Sequence, residues 1–570
     1  MRFFPCLLLL VLGLNCHGQI QELSTTGRGD QLYFTSQLGV RGTESLPSAK
    51  IIRWTAGRGM EIASQRASQG DLGAGLSNPY KLSYPNVSGD GNLLTFAGYR
   101  DCYRIIFRLG CVLENPPQTT FMNQAGEIQA DGRYQLSPNG MFALRTALPN
   151  GAPYTLLNFV TGTSNDLPRG VFVSDQGAVT NDGRVLYIAF GVLHLWSPDR
   201  DQQFGTSVGT ISADGRFIIL ASTVAPKRPL SSVETATGNV VLFPLQGIRP
   251  TISNDGKFFT FLSPVENQTG FQLFISRPDF SDLWQITNEP EGVREALLSG
   301  DGNFVFILLE SNRLWRYDVN VGSILEISPR IAYAYQNYYA GAQGATISIS
   351  GKGLSDSIQL ANYPLPSALG GLRIEADGIP LRIVSASPST IVAQIPFEMS
   401  AGGRKELRII GPDAALVAPP ILLTVSTFAP TWSSAASNEL ALHGDLKTSV
   451  SFSAPAVAGE VIHFLLGGLG AVTPPLASGT LAPAEPELRV ARQLQCILHG
   501  TRGETLNMEI VKAILLPGKI NSYQVSVRVP DAKLMPADAN GLFLATLTFE
   551  PADPLTGTFQ LTLGQVPIRP

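Results

Sequence analysis

Residues 253–261 read Ser-Asn-Asp-Gly-Lys-Phe-Phe-Thr-Phe, which is a hydroxyl residue, an Asp-Gly pair and then an apolar run. This order occurs six times, with Asp-Gly or Asn-Gly starting two residues after each Ser or Thr. The pairs are Asp90-Gly91, Asn139-Gly140, Asp182-Gly183, Asp214-Gly215, Asp255-Gly256 and Asp301-Gly302. Their spacings of 49, 43, 32, 41 and 46 residues average about 42. That is the period of one four-stranded blade of a β-propeller.

The residue types of this repeat indicate a structural role. Asp-Gly and Asn-Gly accept the positive φ angles of a tight turn between twisted antiparallel strands. The Ser or Thr hydroxyl can bind the local backbone and hold the turn. A degenerate seventh unit precedes the six copies, with a turn at residues 27–30 and a strand at residues 31–36. We therefore expect about seven blades, with six or eight as alternatives.

Residues 83–328 resemble the TolB-type, WD-like β-propeller repeat. That repeat combines Ser-Pro-Asp-Gly and an apolar strand with a later strand pair that ends in Leu-Thr. One such pair is formed here by residues 272–276 and residues 283–287. The resemblance implies an all-β fold with an N-terminal propeller over residues 19–330. Trp196, Trp284 and Trp315 lie in later strands of the units, so we expect them in core or inter-blade packing.

The Asp-Gly period stops near Ser328, and longer alternating strands follow. This pattern predicts β-sandwich (Ig-like) domains. A linker near residues 428–432 divides the tail into residues 331–428 and 429–570. Three segments of the tail, residues 370–378, 454–460 and 467–475, resemble an uncharacterised C-terminal domain common in secreted proteins of soil acidobacteria. That resemblance implies a secreted accessory module.

The N-terminus is typical of an export signal. Arg2 precedes an apolar run from Phe3 to Leu14, and small residues precede a plausible cleavage site after Gly18. A membrane anchor needs about 20 apolar residues, more than this run supplies, and a lipid anchor on Cys16 is a further alternative. We expect residues 1–18 to be a cleaved signal peptide and the protein to be secreted or periplasmic, with no transmembrane segment after cleavage.

Export places the remaining cysteines in an oxidising compartment. Cys102 and Cys111 bracket a short apolar stretch, so a hairpin can bring them within bonding distance. A local disulfide is favoured over two buried thiols. Cys496 lies on an apolar segment and is predicted to be a buried, small hydrophobic residue.

Composition excludes several classes of protein. The formal net charge is −4 with a pI of about 5.9, so no basic surface for nucleic acid is expected. Gly and Pro together supply 97 of the 570 residues, from 57 Gly and 40 Pro, which favours turns over long helices. Coiled coil, collagen and polytopic membrane protein are excluded on the same grounds.

Few residues of the sequence suggest catalysis or metal binding. After residue 18 the histidines are His194, His443, His463 and His499, without metal-ligand spacing, and neither a C-x-x-C zinc pair nor a G-x-S-x-G elbow occurs. We therefore predict no metal, no cofactor and no catalytic residue. The favoured function is a non-enzymatic binding or scaffold protein that recognises a protein, peptide or glycan in the envelope or outside the cell. The alternative is a propeller-channel enzyme acting on an extracellular carbohydrate or lactone, and His194 facing the channel beside carboxylates would favour it.

Overall fold

The structure is a computed structural model, and it describes most of the chain in segments. These are residues 19–37, 49–66, 80–100, 118–146, 154–168, 178–205, 207–222, 229–328, 338–351, 353–412, 414–418, 420–432, 441–501, 503–536, 542–551 and 561–570. The expected signal peptide and the Cys102–Cys111 pair lie outside the described residues. The chain divides into two compact units, Met1–Tyr335 and Gln336–Pro570.

The first unit contains seven four-stranded antiparallel sheets within its described residues, and each sheet is built from four consecutive strands. Sheet 1 has β1 (Gln19–Thr25), β2 (Gln31–Gln37), β3 (Ala49–Thr55) and β4 (Gly59–Arg66), and sheet 2 has β5 (Tyr80–Val87), β6 (Leu94–Arg100), β7 (Gln118–Asn123) and β8 (Gly126–Asp131). Sheet 3 has β9 (Arg133–Leu136), β10 (Phe142–Thr146), β11 (Thr155–Asn158) and β12 (Ser164–Asp166), and sheet 4 has β13 (Ala178–Val179), β14 (Val185–Ala189), β15 (Val192–Ser197) and β16 (Arg200–Gln203). Sheet 5 has β17 (Ser207–Ile211), β18 (Phe217–Ser222), β19 (Pro229–Glu234) and β20 (Val240–Gln246), and sheet 6 has β21 (Ile248–Ile252), β22 (Phe259–Pro264), β23 (Phe271–Ser276) and β24 (Trp284–Gln285). Sheet 7 has β25 (Val293–Leu298), β26 (Phe304–Leu309), β27 (Leu314–Asp318) and β28 (Ile324–Glu326).

The seven sheets are arranged in a closed ring. Within the described part of the unit, seven apolar clusters each join two neighbouring sheets, one cluster for every junction from sheets 1 and 2 round to sheets 7 and 1. Trp196 belongs to the cluster between sheets 3 and 4, and Trp315 to the cluster between sheets 6 and 7. Burial of apolar surface at every junction is what holds the sheets together. The described residues of the first unit therefore form a β-propeller of seven four-stranded blades.

The closing junction, between sheets 7 and 1, shares no strand between the two sheets. Side chains pack across it. Trp54 packs edge-on against Phe306, with ring centroids 6.0 Å apart. The Arg316 guanidinium lies 3.5 Å from the ring centroid of Phe304 and 5.5 Å from that of Trp54. Apolar and cation–π packing thus replaces the strand exchange that would otherwise close such a ring.

The second unit contains three sheets in its described residues. The first sheet comprises β29 (Tyr338–Ala342), β32 (Ala368–Leu369), β33 (Leu372–Ala376), β34 (Ile379–Pro380), β37 (Arg404–Ile410) and β38 (Ile421–Ser426). The second comprises β30 (Thr346–Ser350), β31 (Gln359–Leu360), β35 (Arg382–Ala386) and β36 (Thr390–Gln394). The third comprises β39 (Thr431–Trp432), β40 (Ala456–Val457), β41 (Val461–Gly467), β42 (Val472–Thr473), β43 (Leu488–Val490), β44 (Leu494–Gly500), β45 (Thr505–Leu515), β46 (Tyr523–Arg528), β47 (Phe543–Pro551) and β48 (Leu561–Arg569).

The protein is all-β, as the sequence predicts. Among the described residues the one helix is a 3-10 turn at Ala532–Leu534, and no helix there has the length and apolar character needed to cross a membrane. Residues up to Ser426 pair within the first two sheets of the second unit, and pairing in the third sheet begins at Thr431. The assignment of β-sandwich domains to residues 331–428 and 429–570 stays a prediction.

Candidate functional site

The Asp-Gly and Asn-Gly pairs all lie in the turn between the first and second strands of a sheet. In the copy at residues 253–258, the Ser253 hydroxyl donates to Asp255 Oδ1 at 2.7 Å and accepts the Phe258 N–H at 3.1 Å. The Gly256 N–H donates to the Ser253 carbonyl at 3.0 Å. The six motif glycines have φ between +66° and +83°, a region that glycine enters without steric cost.

The first sheet carries the seventh turn. There the Thr26 hydroxyl donates to Asp30 Oδ1 at 2.5 Å and accepts the Gln31 N–H at 3.3 Å. Asp30 thus takes over the carboxylate role, because the residue that aligns with the motif aspartates is Arg28. This turn contains the Arg-Gly-Asp tripeptide at residues 28–30, and its carboxylate serves the turn itself.

The seven turns are joined to one another by a closed series of hydrogen bonds, here named the turn ring. The donors and acceptors are Gly27 N–H to Gly89 O (2.8 Å), Gly89 N–H to Pro138 O (2.6 Å), Asn139 N–H to Asn181 Oδ1 (2.9 Å), Asn181 N–H to Ala213 O (2.8 Å), Asp214 N–H to Asn254 O (3.2 Å), Asn254 N–H to Gly300 O (2.7 Å) and Asp301 N–H to Gly27 O (2.7 Å). Because their side chains and backbone are used in this way, the motif residues build the scaffold, and a ligand site has to be found elsewhere.

The first strands of the sheets surround the propeller axis, since first strands of neighbouring sheets contact one another at six of the junctions. Their pairing with the second strands is interrupted by bulges at Glu22, at Tyr84, at Arg249 and at Arg294. Glu22, Tyr84 and Arg249 have φ of +54°, +53° and +49°. Positive φ is uncommon for such residues and is concentrated at functional sites. We therefore take these bulges as the candidate functional site.

Six side chains from five sheets meet at these bulges and form what we name the inner-strand cluster: Glu22, Tyr84, Arg133, Arg249, Arg294 and Glu295. The Tyr84 N–H donates to Glu22 Oε2 at 2.6 Å. The Arg133 guanidinium lies over the Tyr84 ring, 3.9 Å from its centroid. The Arg249 guanidinium donates to the Arg294 carbonyl. The cluster joins carboxylates, guanidinium groups and an aromatic ring in a continuous arc.

The two carboxyl groups of the cluster are electrostatically coupled. Burial raises the pKa of Glu22 above its ordinary value, and the neighbouring Glu295 carboxylate raises it further, whereas the Tyr84 N–H and Arg133 oppose the rise. Burial also raises the pKa of Glu295, against the opposing effects of the Leu23 N–H, Arg249 and Arg294. The Leu23 N–H donates to Glu295 Oε1 at 3.5 Å. Both groups therefore bind protons more tightly than an exposed glutamate does.

No local motif marks this cluster in the sequence, although a signal is present. Glu22, Tyr84, Arg133, Arg249 and Glu295 each lie four residues before the Ser or Thr of their turn. The same offset from each turn places them at equivalent positions on the inner strands. In sheet 5 that position holds Val208, so the polar part of the ring is incomplete on that side.

His194 does not join the inner-strand cluster. It lies on β15, the third strand of its sheet, where it is 8% exposed. Its ring stacks on Tyr187 with centroids 5.1 Å apart, and Nδ1 lies 3.0 Å from Asp201 Oδ2. His194 therefore packs within its blade and does not face the channel, which is the position that would have favoured a channel enzyme.

The remaining candidate groups are isolated. The described residues contain no set of three or more His, Cys, Asp or Glu side chains placed to hold a metal ion. Cys496 is free and fully buried, as predicted. Burial raises the pKa of its thiol far above the ordinary value, so the reactive thiolate is suppressed.

Comparison with known proteins concerns the propeller. No family model matches the chain, and no curated protein matches it. Among solved structures, the β-propeller domain of Cps50 (Swd1) from Myceliophteria thermophila is 12% identical, with 53% of this chain and 97% of that chain covered and a TM-score of 0.35. For the β-propeller domain of the Trilobed protease from Pyrococcus furiosus, the identity is 11%, the coverages are 55% and 98%, and the TM-score is 0.36. A putative TolB from Agrobacterium tumefaciens is 15% identical, with 47% of this chain and 83% of that chain covered and a TM-score of 0.28.

These structural neighbours are β-propellers, and a TolB is among them. At such identities the likeness concerns the fold alone, and the assignment of a propeller rests on the seven sheets and their seven junctions. The resemblance of the tail to the acidobacterial C-terminal domain stays a prediction.

Proposed function

We propose that this protein is an exported, non-enzymatic binding protein whose propeller recognises a protein, peptide or glycan through the inner-strand cluster. The observation that carries the proposal is the positive φ of Glu22, Tyr84 and Arg249 at bulges of three inner strands. Such a conformation costs on the order of 1–3 kcal/mol for each non-glycine residue. At these bulges the strain falls on charged and aromatic side chains of the inner strands, where it can serve to aim them at a ligand.

The chemistry of the cluster suits recognition. Tyr84 is 37% exposed and Arg249 is exposed, so an aromatic ring and a guanidinium are available at the inner edge. Tyr and Arg are the residue types that contribute most to binding energy at interfaces. Because their backbone lies in a closed ring of blades, they are held in place before the ligand arrives, which lowers the entropic cost of binding.

The second unit is proposed to act as a spacer or surface-attachment module. Its two halves are joined by buried polar contacts: the Gln394 side chain accepts the Gly479 N–H at 2.8 Å, and the Ser478 hydroxyl accepts the Phe397 N–H at 2.7 Å. Gln394 is fully buried. Contacts of this kind hold the halves in one arrangement, and a stiff unit is suited to carrying a binding domain away from a surface.

The test uses the mature chain from residue 19 as an immobilised bait for extracts of the producing organism's envelope and medium. The variant is Tyr84→Asn with Arg249→Asn, because asparagine tolerates positive φ while the ring and the guanidinium are removed. The control is Arg58→Ala, an exposed charge in the turn between β3 and β4. A partner retained by the wild type and the control but lost by the double variant supports the proposal. If the wild type, the control and the double variant all retain the partner equally, recognition lies outside the cluster and the proposal is refuted.

The alternative, an enzyme acting in the channel on a carbohydrate or lactone, is favoured by one observation. Glu22 and Glu295 have raised pKa values and interact with each other, as general acids in active sites often do. Both carboxylates, however, already accept backbone N–H groups of the neighbouring sheet, which gives them a structural role. Turnover of an extracellular carbohydrate or lactone that is abolished by Glu22→Gln, with the fold retained, would establish the alternative.

A further inference from the structure

We infer that the inner-strand cluster takes a ligand that carries a carboxylate, of the acidic-sugar class, and that Glu22 and Glu295 weaken its binding as they ionise. The inference rests on the proposed function, since it assigns a ligand chemistry to the same site. It follows from the charge of the cluster, the geometry of its guanidinium groups, the exposed Tyr84 ring and the two carboxyl groups.

The charge of the cluster favours an anion once its glutamates are protonated. Three arginines, Arg133, Arg249 and Arg294, lie around Glu22 and Glu295. Arg294 also donates to the Asn312 side chain and faces Glu310, so the local formal charge is +3 − 3 = 0 with the three carboxyl groups ionised. It rises to +2 when Glu22 and Glu295 are protonated, and a site with an excess of positive charge attracts anions.

Guanidinium groups are well suited to bind the carboxylate of such a ligand. A guanidinium has five N–H donors in a planar fork that matches the two oxygens of a carboxylate. Arg249 is exposed on its bulge, and its contact with the Arg294 carbonyl engages one nitrogen of the fork. The positive φ of Arg249 aims the side chain away from the direction that a regular strand would give it.

A sugar ring fits the remaining groups. One face of the Tyr84 ring is covered by Arg133, and the residue is still 37% exposed, so the ring offers an apolar surface to a flat partner. Glu22 Oε2 and Glu295 Oε1 accept backbone N–H groups. Glu22 also accepts a hydrogen bond from the Thr35 side chain. A carboxylate has about four lone-pair sites, so both groups can still accept hydrogen bonds from sugar hydroxyls. A uronic acid combines the apolar ring face, the hydroxyls and the carboxylate.

The pH dependence follows from the groups that face the two glutamates. Glu22 faces Arg133, Glu295, the Thr35 side chain and the Tyr84 N–H. Glu295 faces Arg249, Arg294 and the Leu23 N–H, and its charge acts on Glu22. As the pH falls, these carboxyl groups are protonated before a uronate is, because their pKa values are raised by burial and an exposed sugar acid has a pKa of about 3.5. Repulsion of the ligand carboxylate is then removed while the arginines stay charged, so affinity increases on acidification.

The experiment measures binding of two probes to the mature full chain by calorimetry at about pH 5 and about pH 7.5. The probes are a hyaluronan tetrasaccharide, which contains glucuronate, and chitotetraose, its neutral counterpart. We expect the acidic probe to bind at least about tenfold more tightly at the lower pH and the neutral probe to bind weakly at both. Arg249→Asn should weaken the acidic probe by about tenfold or more, and Arg58→Ala should leave it unchanged.

A second variant isolates the carboxyl groups. Glu22→Gln with Glu295→Gln keeps an acceptor oxygen for each backbone N–H but cannot ionise, so we expect the variant to bind the acidic probe more tightly than the wild type does at the higher pH, and to lose the pH response. A pH response that persists in this variant overturns the role of the glutamates. Equal binding of both tetrasaccharides overturns the carboxylate assignment. Binding of a peptide with a free C-terminal carboxylate, but not of the uronate, overturns the sugar class. If neither probe binds while the capture experiment still loses its partner with the double variant, the ligand inference fails and the proposed function stands.

Discussion

Replacement of Trp54 by alanine tests how the propeller ring is closed. Trp54 is 6% exposed and packs at the closing junction against Phe306, with the Arg316 guanidinium nearby. An indole buries about 200 Å², and at about 25 cal/mol per Å² its removal costs about 5 kcal/mol. Measured Trp→Ala changes in cores span about 3–5 kcal/mol. Since no strand is shared across this junction, we expect the loss to appear as a local opening of sheets 1 and 7.

Native-state hydrogen exchange is the assay, because it reports the opening free energy sheet by sheet. In Trp54→Ala, protected amides of β2 and β26 should exchange about two to three and a half orders of magnitude faster, the equivalent of 3–5 kcal/mol. The control is Trp196→Ala, which removes an indole that is 7% exposed on the third strand of sheet 4. Its effect should centre on sheets 3 and 4. Equal acceleration in all seven sheets for both variants would refute the reasoning and show that the ring opens only as a whole.

Three further predictions concern other parts of the fold. Gly89→Ala places a Cβ 2.8 Å from the Pro138 carbonyl in the turn ring, so thermal unfolding should show a loss of about 1–3 kcal/mol; an unchanged midpoint would mean that the turns separate freely. Burial alone would lower the pKa of His443, but its hydrogen bond to Glu460 at 2.6 Å raises the pKa above the ordinary value. The His443–Glu460 pair therefore stabilises the folded protein fully below about pH 6.5, and this stabilisation is lost as the pH rises through the pKa of the folded state. His443→Gln should thus lower the melting temperature at acidic pH and leave it nearly unchanged at alkaline pH, and the opposite order would contradict this sign. Cys496 should react with a thiol reagent only on unfolding, as read by mass mapping, since it is fully buried; rapid labelling of the native protein would contradict its burial.

The fold of the first unit could be predicted from the sequence because its information is local and repeated. The hydroxyl residue, the Asp-Gly pair and the apolar run each specify a turn or a strand without reference to distant residues. Six copies at blade spacing, together with the degenerate unit before them, predict seven blades, and the structure contains seven sheets within its described residues. The tail lacks such a repeat, and its predicted division into two sandwich domains rests on alternating strands and on a linker near residues 428–432.

The candidate site could not be predicted in the same way. A glutamate, a tyrosine and an arginine spread over more than 200 residues carry no spacing that marks them as neighbours, as for Glu22, Tyr84 and Arg249. Their common offset from the turns becomes informative only when the turns are known to form one ring. The bulges that give these residues positive φ are likewise absent from any local pattern.

The turn chemistry and the four-stranded period of the blades could be read from the sequence, because they depend on contacts between residues a few positions apart, whereas the blade number was left between six and eight. Tertiary structure decided two further features. It closed the ring by packing Trp54 against Phe306 and Arg316, each of which lies more than 250 residues further along the chain. It also brought the carboxyl groups of Glu22 and Glu295 together, and burial in that shared site raises both pKa values. The physical reason is the same in each case. Desolvation and long-range packing depend on which surfaces meet in space, and the distance between two residues in the sequence does not predict whether their surfaces meet.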